Sequence, residues 1–208
     1  GLIPPADFIP LLERSRQVTF VDAYVIEKSC AYAKYWQERG IELPISVNIS
    51  RIDILGGKIC RTIYDTVKKL GIEPRLIKLE ITESAYTSDT AALKSVVTDF
   101  KAAGFTVEMD DFGSGYSSLN ILKDLDIDTI KIDIKLTSQV GCGNKKSDDI
   151  LRSVVKMAKD LNIGVIAEGV ETKTQAEFLK AVGCTAMQGY YFARPMPPQE
   201  FEQLVGKD

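Results

Sequence analysis

Six short apolar stretches recur along the chain, and each runs into carboxylate, amide or lysine side chains. They surround Asn48, Glu80 with Glu83, Asp110 with Asp111, Lys131, Glu168 and Gln188. Side chains alternate faces along a strand, so residues two apart share one. Asn48 and Ser50, Glu80 and Thr82, Glu108 and Asp110, and Lys131 and Asp133 fall on one parity. Val47 and Ile49, Leu79 and Ile81, Val107 and Met109, and Ile130, Ile132 and Ile134 fall on the other. The pattern predicts strands that are apolar toward covering helices and ionised toward a central cavity. Unpaired charges there would each be destabilising by on the order of several kcal/mol, and Lys131 alone cannot neutralise them.

Helical periodicity fills the intervals at 18–39, 58–70, 88–103, 145–161 and 172–182. Gly40, Gly71, Gly104 and Gly183 stand where those helices should stop in a left-handed turn. Strand and helix alternating in this way predict a parallel sheet with right-handed crossovers. The polar strand ends lie 32, 30, 21, 37 and 20 residues apart, close to the ~31 per unit of an eight-stranded barrel. The expectation is therefore an α/β chain folded as a TIM-type β/α barrel that lacks its first one or two strands. It is read as a single domain over 1–208, incomplete at its N-terminal side, with its chemistry at the C-terminal mouth of the strands. The stretch Gly141–Lys146 reads as a mobile loop.

Composition narrows the chemistry. The 208 residues are 45% hydrophobic and 26% charged, with no apolar run of membrane-spanning length and no signal-peptide pattern. A soluble cytoplasmic domain is expected, without membrane insertion of its own, whatever tethers its parent protein. A net charge of −3 with no basic, aromatic-interleaved stripe argues against a nucleic-acid polymer as partner. The chain has no histidine, which excludes Ser-His-Asp and Cys-His sites and histidine metal centres. Four scattered cysteines, Cys30, Cys60, Cys142 and Cys184, form no zinc spacing. What is left is the chemistry of oxygen-ligated metals, carboxylates and lysine.

Asp110 and Asp111, followed by Phe-Gly-Ser-Gly, are the sharpest local signal. Neighbours in an extended strand face opposite ways, so both can serve one site only where the strand ends and turns, as Gly113 and Gly115 would permit. The structural alternative is an aspartate cap on a helix over 116–125. Asn48, Glu80 and Asp110 offer oxygen donors suited to Mg²⁺ or Mn²⁺. Lys131 reads either as a structural ion pair or as a cation for a phosphate oxygen or nucleophilic water. Glu168 and Glu171 read as a general base and its orienter, or as ordinary loop and helix-start acids. Gln188 alone is a weak signal.

Taken together, NIS at 48–50, LEITES at 79–84, DDFGSGYSSL at 110–119, IKID at 130–133, VIAEGVET at 165–172 and QGYYFARPMP at 188–197 resemble the EAL family of cyclic di-GMP phosphodiesterases. The resemblance spans essentially the whole chain and implies a modified β/α barrel. It implies hydrolysis of one phosphodiester bond of cyclic di-GMP to linear pGpG with two Mg²⁺ or Mn²⁺ ions per site. By position, Asn48, Glu80 and Asp110 would bind one ion, and Asp110 and Asp111 the other. Glu168 and Gln188 would reach metal or water, and Lys131 would stand beside the attacking hydroxide. Glu83 would anchor the DDFGSG loop, and Asp133, Glu171 and Tyr190 are candidates for binding substrate. That loop and the following helix are a dimerisation surface in the family, so a homodimer is a further expectation.

Two features depart from the family pattern. The Glu-Ala-Leu strand end that names the family, with a metal-binding glutamate and a phosphate-binding arginine, would lie upstream of GLIPPADFIP and is not among these 208 residues. The reading favours removal of that strand over degeneracy. The alternative function is a receptor or scaffold that binds cyclic di-GMP without cleaving it. Glu108 stands where the family has a small residue and adds a carboxylate to the interior, to be met by protonation, by a salt bridge or by a place lower in the barrel. An enolase-like barrel, with a lysine base beside Mg²⁺, fits the Asp110-Asp111 pair and Asn48 poorly.

Overall fold

The computed structural model describes residues 3–115 and 118–205. Its strands are β1 (Ile45–Ile49), β2 (Ile77–Thr82), β3 (Thr106–Phe112), β4 (Thr129–Ile132), β5 (Gly164–Ala167) and β6 (Ala186–Met187). They form one six-stranded sheet in sequence order with every neighbouring pair parallel. This is a TIM-like barrel lacking some strands, as expected; among the described residues β1 and β6 are its open edges.

The alternation of apolar residues builds the outer core. Val47, Ile49, Leu79, Ile81, Val107, Met109, Ile130 and Ile132 are all buried. Covering them are α2 (Val18–Gln37), α4 (Ile59–Leu70), α6 (Thr90–Ala102), α9 (Lys145–Asp160) and α10 (Lys173–Val182). These helices bury Ile26, Ile63, Leu93, Phe100, Leu151 and Leu179, each side chain contributing roughly 1.5–3 kcal/mol relative to exposure. The five periodic helices of the sequence thus appear within one or two residues of their expected limits. Gly71 and Gly183 end two of them at φ 63° and 88°, in the left-handed region.

Shorter helices fill the loops: α1 (Pro5–Arg14), α3 (Arg51–Gly56), α5 (Glu83–Ser88), α7 (Ser118–Asp124), α8 (Ile134–Thr137) and α11 (Pro198–Val205). The helix expected over 116–125 is α7; residues 116 and 117 lie outside the described residues. The expected loop over 141–146 is shorter than it looked. Asn144 caps α9 by accepting from the Ser147 amide, so Lys145 and Lys146 are already helical.

The side chain of Trp36 on α2 donates to Glu202 on α11 at 2.9 Å, with Phe201 against its ring, so the helix before β1 meets the helix after β6. Where α2 meets α3, the Asp22 carboxyl faces Asp53 and Ser50, and its buried Oδ2 has no donor. Burial and then the Asp53 carboxyl push Asp22 up to about 7.

Candidate active site at the barrel mouth

Lys131 organises the mouth. It projects from β4 between Ile130 and Ile132, is 5% exposed, and could be buried as a cation only if paired. Its Nζ lies 3.0 Å from Glu80 Oε1 on β2, 3.0 Å from Asp110 Oδ1 on β3 and 2.9 Å from Glu168 Oε1 just after β5. Burial alone would lower the lysine's proton affinity, but the combined pull of Glu80, Asp110 and Glu168 raises it. Gln188, following β6, donates Nε2 to the same Glu168 oxygen at 2.7 Å. Five successive positions of the sequence pattern, on β2, β3 and β4 and just after β5 and β6, therefore meet at one point.

Asp111 joins them by a route the sequence did not suggest. β3 does not end at the pair: Met109 is opposite Ile130 but Phe112 is opposite Ile132, leaving one extra residue on β3. This bulge is made by Asp111 itself at φ 56°, in the left-handed region where aspartate is tolerated. Phe112 thereby returns to the outer core at 2% exposed, and both carboxylates remain at the mouth. Asp110, Asp111 and Glu168 each place an oxygen within 4.8 Å of the others. The glycines act later, in the loop: Glu83 Oε2 accepts from the Gly113 amide at 3.2 Å and the Gly115 amide at 3.3 Å.

The remaining sequence candidates lie around this centre. Asn48 is opposite Glu80 in the β1–β2 ladder and exposed. Asp133 is buried, caps α8 through the Lys135 amide at 2.6 Å and faces Asp111. Glu171 and Tyr190 do not join the Lys131 cluster. They line a cleft of about 830 Å³ between α2 and the segment after β6, with Tyr190 stacked against Arg194. Gln188 belongs to both, so the cleft opens onto the cluster. A side chain at 189 would strike the Val170 carbonyl at 2.2 Å, so only glycine lets the Gln188 segment lie this close to the Glu168 loop.

The charge at the mouth is unbalanced. Glu80, Asp110, Asp111 and Glu168 face one lysine. Burial, followed by partial compensation from Lys131, leaves Glu80 and Glu168 above the ordinary carboxylate range; burial and then Asp110 do the same for Asp111. Asp110 Oδ1 is buried and, although near Lys131, makes no directed hydrogen bond. A shielded carboxylate oxygen without a donor, among other hard oxygens, fits a hard divalent cation. Glu108, by contrast, is completely buried two residues lower, where Lys78 Nζ lies 2.8 Å from Oε1 and Ser46 donates to Oε2 at 3.0 Å. The extra carboxylate is a salt bridge below the site. Parity could have found its partners, since Lys78 shares a face with Glu80 and Ser46 with Asn48.

The family model described as EAL domain matches residues 1–195. The chain belongs to the EAL domain family. This EAL domain is 34% identical over 204 residues to signaling protein YkoW of Bacillus subtilis (strain 168), covering 98% of the chain and 25% of that protein. It is 36% identical over 203 residues to cyclic di-GMP phosphodiesterase PdeR of Escherichia coli (strain K12), covering 98% of the chain and 31% of that protein. The chain thus spans about a quarter to a third of the length of these curated relatives. The solved PaMucR phosphodiesterase in complex with c-di-GMP matches it with a TM-score of 0.91 and 32% identity, over 97% of this chain and 81% of that one. Among the described residues no helix is long and apolar enough to cross a membrane.

Proposed function

We propose that this EAL domain hydrolyses one phosphodiester bond of cyclic di-GMP, releasing linear pGpG, with two Mg²⁺ or Mn²⁺ ions held at the mouth. The observation that carries the reading is the convergence of Asp110, Asp111 and Glu168 oxygens within 4.8 Å beside a single lysine. The names of PdeR and PaMucR support it. Asn48, Glu80, Asp110 and Asp111 would hold the ions, with Glu168 and Gln188 reaching them or their water. Bound there, two cations supply a water of lowered pKa, a clamp on the phosphate and stabilisation of charge on the attacking and leaving oxygens.

The chain's own side chains do the rest. Lys131 draws three carboxylates from three strand ends together and presents an ammonium to the developing phosphate charge. Glu168, its Oε1 fixed by the Gln188 amide, is placed to take a proton from the attacking water. Glu83 keeps the Asp110-Asp111 loop from swinging away. Asp133, Glu171 and Tyr190 complete the substrate side, and a homodimer would use the DDFGSG loop with α7.

The test is chromatography of cyclic di-GMP incubated with the protein in Mn²⁺, Mg²⁺ or chelator. Metal-dependent pGpG is the expected result. Saturable binding of cyclic di-GMP without cleavage in either metal, both by this chain and by one that also carries the Glu-Ala-Leu strand, would replace the enzyme with a receptor.

A further inference from the structure

Two buried polar side chains away from the ion cluster each make hydrogen bonds to the segment that carries Glu168. Thr137, the last residue of α8, is completely buried, and its hydroxyl donates to the Glu168 carbonyl. Gln175, in the first turn of α10, is 5% exposed. Its Oε1 accepts from the Glu171 and Thr172 amides, both at 2.9 Å, and its Nε2 donates to the Thr137 and Ser138 carbonyls, both at 3.3 Å.

Gln175 is also half of a capping box with Thr172, but a helix cap requires only the Thr172 and Gln175 amides. The bonds to Glu171, Thr137 and Ser138 exceed that need. They tie the loop after β5, which bears Glu168 and Glu171, to the loop after β4, which bears Asp133 and follows Lys131. From the opposite side the Val170 amide is held by the Gln188 carbonyl at 3.1 Å. The Glu168 main chain is thus fixed from both flanks, and Lys131 Nζ meets its carboxylate at 2.9 Å.

We propose that Thr137 and Gln175 are positioning residues for this site: through the Glu168 main chain they set where that carboxylate stands relative to Lys131 and Asp110, and so set divalent-cation affinity and turnover. The inference rests on the phosphodiesterase reading only for its turnover readout. Apolar side chains would fill these two sites without desolvating polar groups, and hydrogen bonds behind a cation-binding carboxylate commonly govern affinity and rate by roughly 10–100-fold.

The test compares Thr137→Val, which keeps the shape and loses the hydroxyl, with Thr137→Ser, which restores it. Mn²⁺ affinity is measured without substrate by electron paramagnetic resonance, with kcat and KM for cyclic di-GMP alongside, well below the melting temperature. Thr137→Val should weaken Mn²⁺ and lower kcat by about 10-fold each, with KM nearly unchanged, and Thr137→Ser should recover most of both. Wild-type Mn²⁺ affinity in Thr137→Val, even with a lowered melting temperature, would overturn the proposal; so would a Ser variant no better than Val. If Thr137→Val does not fold, Gln175→Met carries the same comparison, and unchanged Mn²⁺ affinity there overturns it equally. A wild-type protein that binds Mn²⁺ but leaves cyclic di-GMP intact would defeat the phosphodiesterase reading alone, because Mn²⁺ affinity still decides the role of Thr137. One that binds no Mn²⁺ would defeat both.

Discussion

Glu108 and Asp110 stand two residues apart on the same inward face of β3, yet their surroundings are opposite. Glu108 is completely buried and balanced: one lysine and one hydroxyl take up its two oxygens. Asp110 shares a single lysine with Glu80 and Glu168, has Asp111 beside it and keeps an oxygen without a directed donor. A carboxylate left buried without a partner is strongly destabilising, so the fold that buries Glu108 also supplies Lys78. The charge below the mouth is closed by the fold, whereas the charge at the mouth stays unbalanced and could be met by a cation from outside.

That contrast can be broken from either end. The largest effect should come from Asp110→Asn, which keeps the shape of the side chain: turnover of cyclic di-GMP should fall by about 10³-fold or more, read as pGpG formed per minute. Next, Lys131→Met removes the cation the carboxylates share and should destabilise the metal-free protein by about 3 kcal/mol in urea melts. Mn²⁺ should recover much of that loss, because it supplies the missing positive charge. Glu108→Ala leaves Lys78 without its partner. Lys78 is partly exposed, so the loss should be about 2 kcal/mol, and Mn²⁺ should not restore it; kcat per folded molecule should stay within about twofold.

A third acid, Asp22, should give a smaller effect. Asp22 holds its proton up to about 7 against an ordinary 3.8. Its folded form binds the proton more tightly than the unfolded chain, so this contribution is complete below the ordinary value and is lost as pH rises through about 7. Asp22→Asn should therefore flatten the fall in stability between those limits. It should leave the protein about 1 kcal/mol more stable than wild type at pH 8, a figure reduced for the partial exposure of the site. Melts across the pH range read this directly.

Strand parity carried most of the fold, because the covering helices bury one face of each strand and the apolar alternation has to match it. The long amphipathic helices were legible for the same reason. α3 and α8 were not: a helix of one or two turns leaves little periodicity, and these depend on caps from Ser50 and Asp133. Lys131, Glu80, Asp110, Glu168 and Gln188 were legible as strand-end polar residues, and the structure brings them together. How Asp111 joins them was not, because adjacent residues on a regular strand diverge and nothing local announces a bulge in which an aspartate takes the left-handed turn. Thr137 and Gln175 were invisible for a different reason. Apart from the local Thr172–Gln175 capping box, the bonds that tie the two loops together, to the Glu168, Thr137 and Ser138 carbonyls, run from side chain to main chain across more than thirty residues and leave no pattern along the sequence.

The most direct test of the open mouth is a Mn²⁺ titration of the wild-type protein, Asp110→Asn and Glu108→Gln, without nucleotide, followed by electron paramagnetic resonance. An open mouth requires saturable binding to wild type, its loss in Asp110→Asn and its retention in Glu108→Gln. Equal binding by wild type and Asp110→Asn, or loss in Glu108→Gln alone, would contradict it.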